Sequence, residues 1–359
     1  MSGIDRHRID RRTFLKYVGV AGAGLVGSAA AACVPGVTPT RPAPAAATPE
    51  PKTVRIGIDI PVHPFFNYLA ARTDEFFGGD PWKLEMKIYS AQAQVTQMVR
   101  GNLDIVTSPA FAIPRIQKSQ DIELQYFWPM ARYTSWSGIV VRKDSPFETL
   151  EDLRGKRLAS PPIEAEHGSE LAALYGATGQ RLDEYFAHVP TEEAGAELEL
   201  GRADAAWLDP IPKVRLLEKG EFREVIDLAG LWEMALGDDR PVLSGGYIAQ
   251  PSFVQQNMEF IAKFVKVNRD IWLRFMDDED FRQEVYQVGG EFGGVPPDRL
   301  QFVAEALALA NIPRDMLGVL EWDVEVYSKA FDWALKGGFP AKPVEDASKL
   351  FLLTKDLPI

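Results

Sequence analysis

From Val54 onward the chain alternates between two hydrophobic periods, and that alternation limits the folds open to it. Val54-Arg55-Ile56-Gly57-Ile58-Asp59-Ile60 is alternating and rich in β-branched residues, the pattern of a strand. Residues 65–77 have helical spacing and stop at Gly78-Gly79. A second strand follows over 84–89, a helix over 92–100, a short buried strand over 103–106, a core strand at Tyr126-Phe127-Trp128, another strand over 138–142 and a short helix from the Ser145-Pro146 break to Gly155. Strand and helix in turn predict an α/β fold, with parallel sheets flanked by helices on both faces. In such sheets ligands sit outside the carboxyl ends of the strands, where loops lead into helices. Cys33 is the chain's single cysteine, so no disulfide can form within it and the core must hold the fold.

Residues 1–53 are of another kind. Arg11-Arg12-Thr13-Phe14-Leu15-Lys16 looks like a twin-arginine export signal, and an apolar run over 17–32 ends in Ala30-Ala31-Ala32-Cys33. The run has sixteen residues, rich in Gly and Ala, and falls short of the roughly 20 that span a bilayer. A single membrane anchor is the alternative. The small residues before Cys33 resemble a bacterial lipobox, whose thiol carries lipid, with Ala30 where Leu is usual; ordinary cleavage leaving a free thiol is the other reading. A signal peptide over 1–32 and a lipid-anchored linker over 33–53 are expected. The linker is Pro, Ala and Thr with almost no charge before Glu50. Such a segment is extended and reaches roughly 60 Å. The protein is therefore expected outside the cytoplasm, held to the bacterial membrane through Cys33.

The chain carries 39 Lys and Arg against 51 Asp and Glu. Removing residues 1–32, with five basic and two acidic side chains, leaves 34 and 49, a net charge of −15. An acidic body argues against nucleic acid or anionic lipid as partner. The sequence shows no metal-ligand cluster, so no metal or cofactor is expected. It also lacks a Gly-x-Ser-x-Gly elbow, a His-Glu-x-x-His motif and a phosphate loop, so no enzyme is expected.

The segment Gly138-Ile139-Val140-Val141-Arg142-Lys143-Asp144-Ser145-Pro146, followed by Asp152-Leu153-Arg154-Gly155-Lys156-Arg157, resembles the solute-binding proteins of bacterial ABC importers. The similar branch is the one for nitrate, alkanesulfonates, taurine, thiamine pyrimidine precursors and riboflavin. Gly101-Asn102-Leu103-Asp104-Ile105 resembles that family's G-x-x-D-I/V phrase, and Gly201-Arg202-Ala203-Asp204-Ala205 repeats it. Ser244 to Ala249 resembles the return strand. The resemblance implies a two-lobed periplasmic-binding-protein fold of type II, each lobe a mostly parallel sheet flanked by helices. Two crossing segments, the strand at 138–142 and the return strand at 244–249, would form the hinge, with lobe 1 over 54–141 and 244–359 and lobe 2 over 142–243. It further implies a small-molecule ligand, a permease and ATPase as membrane partners, and a monomer that closes on its ligand. A sensor domain reporting to a signalling partner is the rival of another class.

The strand-end loops then supply the ligand candidates. Phe65, Phe66, Phe111, Tyr133, Trp136 and Trp207 offer rings that can sandwich a flat ligand or else pack in the core. Asp59, His63, Ser108, Ser137, Glu164 and Asp209 are polar candidates, with helix capping and turn formation as the competing roles for the acids. Arg132 is the one basic residue placed to favour an anion. Carboxylates near the expected helix 168–174 disfavour an anion. The sequence favours a flat heteroaromatic vitamin or precursor, riboflavin first and a thiamine pyrimidine precursor next. An alkanesulfonate, taurine or nitrate is the alternative.

Overall fold

A computed structural model describes residues 50–359 apart from 59–62, 133–136, 163–165, 180, 192 and 340–341. The export signal with Arg11 and Arg12, the lipid site Cys33, and the ligand candidates Asp59, Tyr133, Trp136 and Glu164 lie outside the described residues. The strands are β1 (Lys52–Ile58), β2 (Trp82–Ile88), β3 (Ile105–Pro109), β4 (Gln125–Pro129), β5 (Gly138–Arg142), β6 (Arg157–Ser160), β7 (Ala187–Pro190), β8 (Ala205–Leu208), β9 (Phe222–Asp227) and β10 (Gly245–Ala249). The described helices of eight residues or more are α1 (Pro64–Ala71), α2 (Ala91–Val99), α3 (Ala112–Gln120), α4 (Glu166–Ala177), α5 (Pro210–Glu218), α6 (Leu228–Leu236), α7 (Met258–Asp277), α8 (Glu279–Gly293), α9 (Pro297–Ala306) and α10 (Glu321–Lys336).

The strands form two five-stranded sheets, ordered β2-β1-β3-β10-β4 and β7-β6-β8-β5-β9. Neighbours are parallel except around β10 and β5, each antiparallel to both of its neighbours. β5 and β10 are the first strands laid down after each passage from one sheet to the other, and each inserts at the same place in its sheet. The two halves of the molecule are thus built on one plan.

That plan is visible in single residues. Gly101 and Gly201 take φ of +73° and +68°, the left-handed turn that glycine enters without a Cβ clash. Asp104 then accepts from Arg55 at the backbone N (2.8 Å), Nε (3.1 Å) and Nη2 (3.0 Å). Asp204 does the same for Arg157 at 2.9, 3.2 and 2.8 Å. The G-x-x-D phrase is thus a turn that returns a carboxylate to the strand beside its own in the sheet, β1 in the first and β6 in the second.

Two features differ from expectation. Gly138–Arg142 does not cross between lobes: it pairs along its length with β8 and β9, so the passage lies upstream of Gly138. Ser145–Gly155 does not form a helix either, but a single 3₁₀ turn over Glu151–Leu153, because the Asp152 carboxylate binds the N–H groups of Glu148 (3.0 Å) and Thr149 (2.8 Å).

The core explains how the two sheets are joined. Val54, Ile56 and Ile58 of β1 pack with Phe127, Tyr247, Phe264, Val285 and Leu300 on one side of the first sheet. A second cluster runs from Val106, Phe111 and Tyr126 in the first lobe, through Tyr327 and Phe331 of α10, to Ile139, Leu171, Trp207 and Trp232 in the second. The expected assignment of the whole C-terminal stretch to lobe 1 therefore changes at α10. This helix lies along α4 of the second lobe, so close at Gly176 that a Cβ there would meet the Trp333 carbonyl oxygen. The chain then returns to the first sheet, where Phe351 forms a bridge beside Tyr126 and Leu352 N donates to Tyr126 O (2.8 Å).

Candidate ligand-binding site

In both sheets the carboxyl ends of the parallel strands lead into helices, which is where a sheet of this type offers a binding site. His63, five residues beyond the last residue of β1, is the N-cap residue of α1, with Pro64 in the first turn and no capping bond from its side chain. His63 is buried, and its Nε2 lies 3.1 Å from the Met130 carbonyl oxygen just after β4. A carbonyl only accepts, so Nε2 carries the proton and Nδ1 is left with a lone pair. Burial holds the imidazole pKa down at about 3, with the Met130 bond opposing that shift. At neutral pH the ring is uncharged.

Ser108, at the end of β3, is buried and donates from Oγ to Pro109 O at 3.2 Å. Ser137 precedes β5 and donates to Asp209 Oδ1 at 3.1 Å. Asp209 heads α5 without capping it, because its carboxylate turns toward Ser137 instead of the helix N–H groups. The second lobe adds Glu170, fully buried in α4. Burial pushes its carboxyl well above the usual carboxylate range, and the negative charge of Asp209 pushes in the same direction. Glu170, Asp209 and Ser137 thus gather two acids and a hydroxyl where β5, β8 and α4 meet. Sequence reading stopped at the acids preceding this helix; the signal for Glu170 was an acid set directly before the apolar run Leu171-Ala172-Ala173-Leu174.

The ring candidates occupy other places. Phe65 packs against Trp272 (centroids 5.3 Å apart) and Phe275 (4.9 Å), and Phe66 against Tyr247 (4.8 Å). Phe111 sits among Trp232 (5.9 Å), Tyr327 (5.1 Å) and Phe331 (6.0 Å), and Trp207 is 1% exposed within the same cluster. These four rings are corrected to core: large apolar surface at strand ends was drawn into the interior of each lobe and the seam between them.

Arg132 is also corrected. It is fully buried and donates five hydrogen bonds: Nε to Met316 O (2.7 Å), Nη1 to Pro241 O (3.1 Å) and Asp323 Oδ1 (2.7 Å), Nη2 to Gly318 O (2.8 Å) and Asp323 Oδ2 (2.9 Å). A guanidinium has five N–H donors, so none is left for an anion. The residue ties the outward passage, the return passage and the start of α10 together.

A cavity of about 440 Å³ opens on the second lobe at the ends of β6, β7 and β8, lined among others by Pro161, Glu193, Asp209, Arg215 and Lys219. Lys219 pairs with Glu199, whereas Arg215 makes no ion pair among the described residues. No group of three or more metal-ligating side chains occurs among the described residues.

Residues 61–221 match the family model described as "ABC transporter, phosphonate, periplasmic substrate-binding protein". Over residues 61–221 the chain is thus similar to the periplasmic substrate-binding proteins of ABC transporters. The aliphatic sulphonate binding protein SsuA of Escherichia coli superposes with a TM-score of 0.63 at 17% identity, covering 86% of this chain and 99% of that one. The alkanesulfonate-binding protein SsuA of Xanthomonas axonopodis, bound to MOPS, gives 0.59 at 17%, covering 85% and 99%. The nitrate-binding protein NrtA of Synechocystis gives 0.54 at 12%, covering 84% and 85%. No curated protein matches the sequence. The resemblance to the nitrate and alkanesulfonate binding family is borne out, as is the two-lobed α/β fold. Binding proteins of this type work with a membrane permease and ATPase.

Proposed function

We propose that this binding protein captures a small, uncharged, N–H-bearing heterocycle between its lobes and delivers it to a permease. The ligand lies between the strand ends that carry His63 and Ser108 on one side and Ser137, Glu170 and Asp209 on the other. The observation that carries this reading is the set of acceptors there: the Nδ1 lone pair of His63 and the paired carboxyls of Glu170 and Asp209. Riboflavin and a thiamine pyrimidine precursor remain the leading candidates, now for their ring N–H and amino donors. Stacking between Phe65, Phe66, Phe111 and Trp207 no longer supports them. Tyr133 and Trp136 stay as proposed ring contacts, Asp59 and Glu164 as proposed acceptors.

A second reading, an anion, is favoured by one side chain, Arg215, beside the second-lobe cavity. It is also what the sulphonate- and nitrate-binding proteins of similar fold take. Against it stand Glu193, Glu199 and Asp209 around the same cavity. We further propose that residues 1–32 direct export and that lipid on Cys33 holds the monomer at the membrane by the linker over 33–53. Isothermal titration of riboflavin, an aminopyrimidine, taurine and nitrate tests the ligand reading. Heat saturating with either heterocycle supports it, and heat from the anions alone replaces it with the second reading.

A further inference from the structure

Among the described residues, the first turn of α1 shows both kinds of hydrogen-bonding group: backbone donors without an intrahelical partner and a buried ring acceptor without a partner. The first intrahelical bond runs from Asn67 N to His63 O (3.2 Å). Pro64 has no N–H, so Phe65 and Phe66 carry the donors that a helix start leaves without an intrahelical partner, and the N-cap side chain does not cap them. The N-cap residue supplies the opposite need. His63 is 1% exposed, and its Nδ1 is buried with no hydrogen-bond partner among the described residues. Its ring is fixed by the Met130 carbonyl on one edge and by the Phe66 ring at 4.4 Å. A buried polar atom left unpaired is costly, so such atoms call for a partner.

Different ligand groups fare differently here. An anionic oxygen suits the Phe65 and Phe66 N–H groups but sets its lone pairs against Nδ1. A cation suits Nδ1 but opposes the helix start, whose dipole is positive. The ring cannot become a donor for an anion at neutral pH, because burial keeps it uncharged. A neutral group with a carbonyl beside an N–H satisfies both needs.

We propose that the start of α1 is a recognition site for the edge of an amide-type ring, a lactam or an imide, with the Phe65 and Phe66 N–H groups donating to its carbonyl and His63 Nδ1 accepting from its N–H. The inference rests on the receptor reading above, since the opening of the lobes is what admits a ligand to His63. It narrows the ligand class by chemistry: rings with a C(=O)–NH edge, and neither sulfonates nor nitrate.

The test is nitrogen-15 NMR of the full-length protein with labelled histidines, of which there are four. His63→Gln assigns the signal. Should that variant not fold, replacing the other three histidines singly assigns it by exclusion. The probes are 2-pyridone, which has the lactam edge, and methanesulfonate, which does not. The expected result is a saturable movement of the His63 Nδ1 resonance with 2-pyridone and none with methanesulfonate. Movement with methanesulfonate, or with neither probe, overturns the proposal. Failure here is separable from failure of the receptor reading. A protein whose lobes close on a ligand while His63 stays silent has lost only this site.

Discussion

Arg132 and His63 both lie beyond strand ends of the first sheet, after β4 and β1, and both were read from the sequence as ligand contacts. They separate on hydrogen-bond accounting. Arg132 has all five donors satisfied inside the protein, while His63 has one nitrogen satisfied and one bare. Removing Asp323 strands a buried guanidinium, so Asp323→Ala is expected to cost about 3–5 kcal/mol in denaturant titration. A loss under 1 kcal/mol would contradict the buried-pair account. The pH dependence follows from two groups of opposite sign. His63 has a folded pKa of about 3 against 6.5 for a free imidazole, so its contribution is lost as pH falls below 6.5. The slope is about 1.4 kcal/mol per pH unit for one proton, and His63→Gln should flatten it. Glu170 has its pKa raised, so its contribution is lost as pH rises above the ordinary value of 4.5. Glu170→Gln should therefore gain stability over the parent between pH 5 and pH 8; a constant difference would show that Glu170 does not titrate there. Arg132 misled because its partner lies 191 residues away, a distance over which sequence carries no local signal. Ser137 and Asp209 were legible as strand-end polar residues, but their bond to each other was not.

At the scale of elements, local chemistry made the repeats readable. The G-x-x-D phrases were found because a glycine in a left-handed turn and an acid three residues on are short-range requirements. Tyr126-Phe127-Trp128 was read as core strand, and all three are buried in β4. Sheet membership was not readable in the same way. The β-branched run of β5 suits either sheet, and only its pairing with β8 and β9 decides. The amphipathic face of α10 likewise does not say which lobe it will cover. The structure shows it on α4, with Tyr327 Oη donating to Leu243 O (2.6 Å) on the return passage. Gly176→Ala forces α4 and α10 apart and should cost roughly 1–3 kcal/mol, read as a fall in thermal midpoint. An unchanged midpoint would mean that this helix pair is not tightly packed.

For the whole molecule, two lobes of one plan meet over a shared aromatic seam, and the passages between them are gathered on Arg132. This is an architecture in which a ligand that touches both lobes shifts a closing equilibrium by its preference for the closed form. The lipid-anchor proposal has its own check. Cys33→Ser should move the protein from the membrane to the soluble fraction without changing ligand affinity, and a variant that stays with the membrane would contradict it. The most direct test of the account is a pulsed electron-spin distance between labels on exposed Glu75 of the first lobe and exposed Glu221 of the second, in full-length protein with Cys33→Ser. The account predicts that the distance shifts to a new, narrow value with riboflavin or an aminopyrimidine and stays unchanged with taurine and nitrate. A shift with the anions alone, or no shift with any of the four, would contradict it.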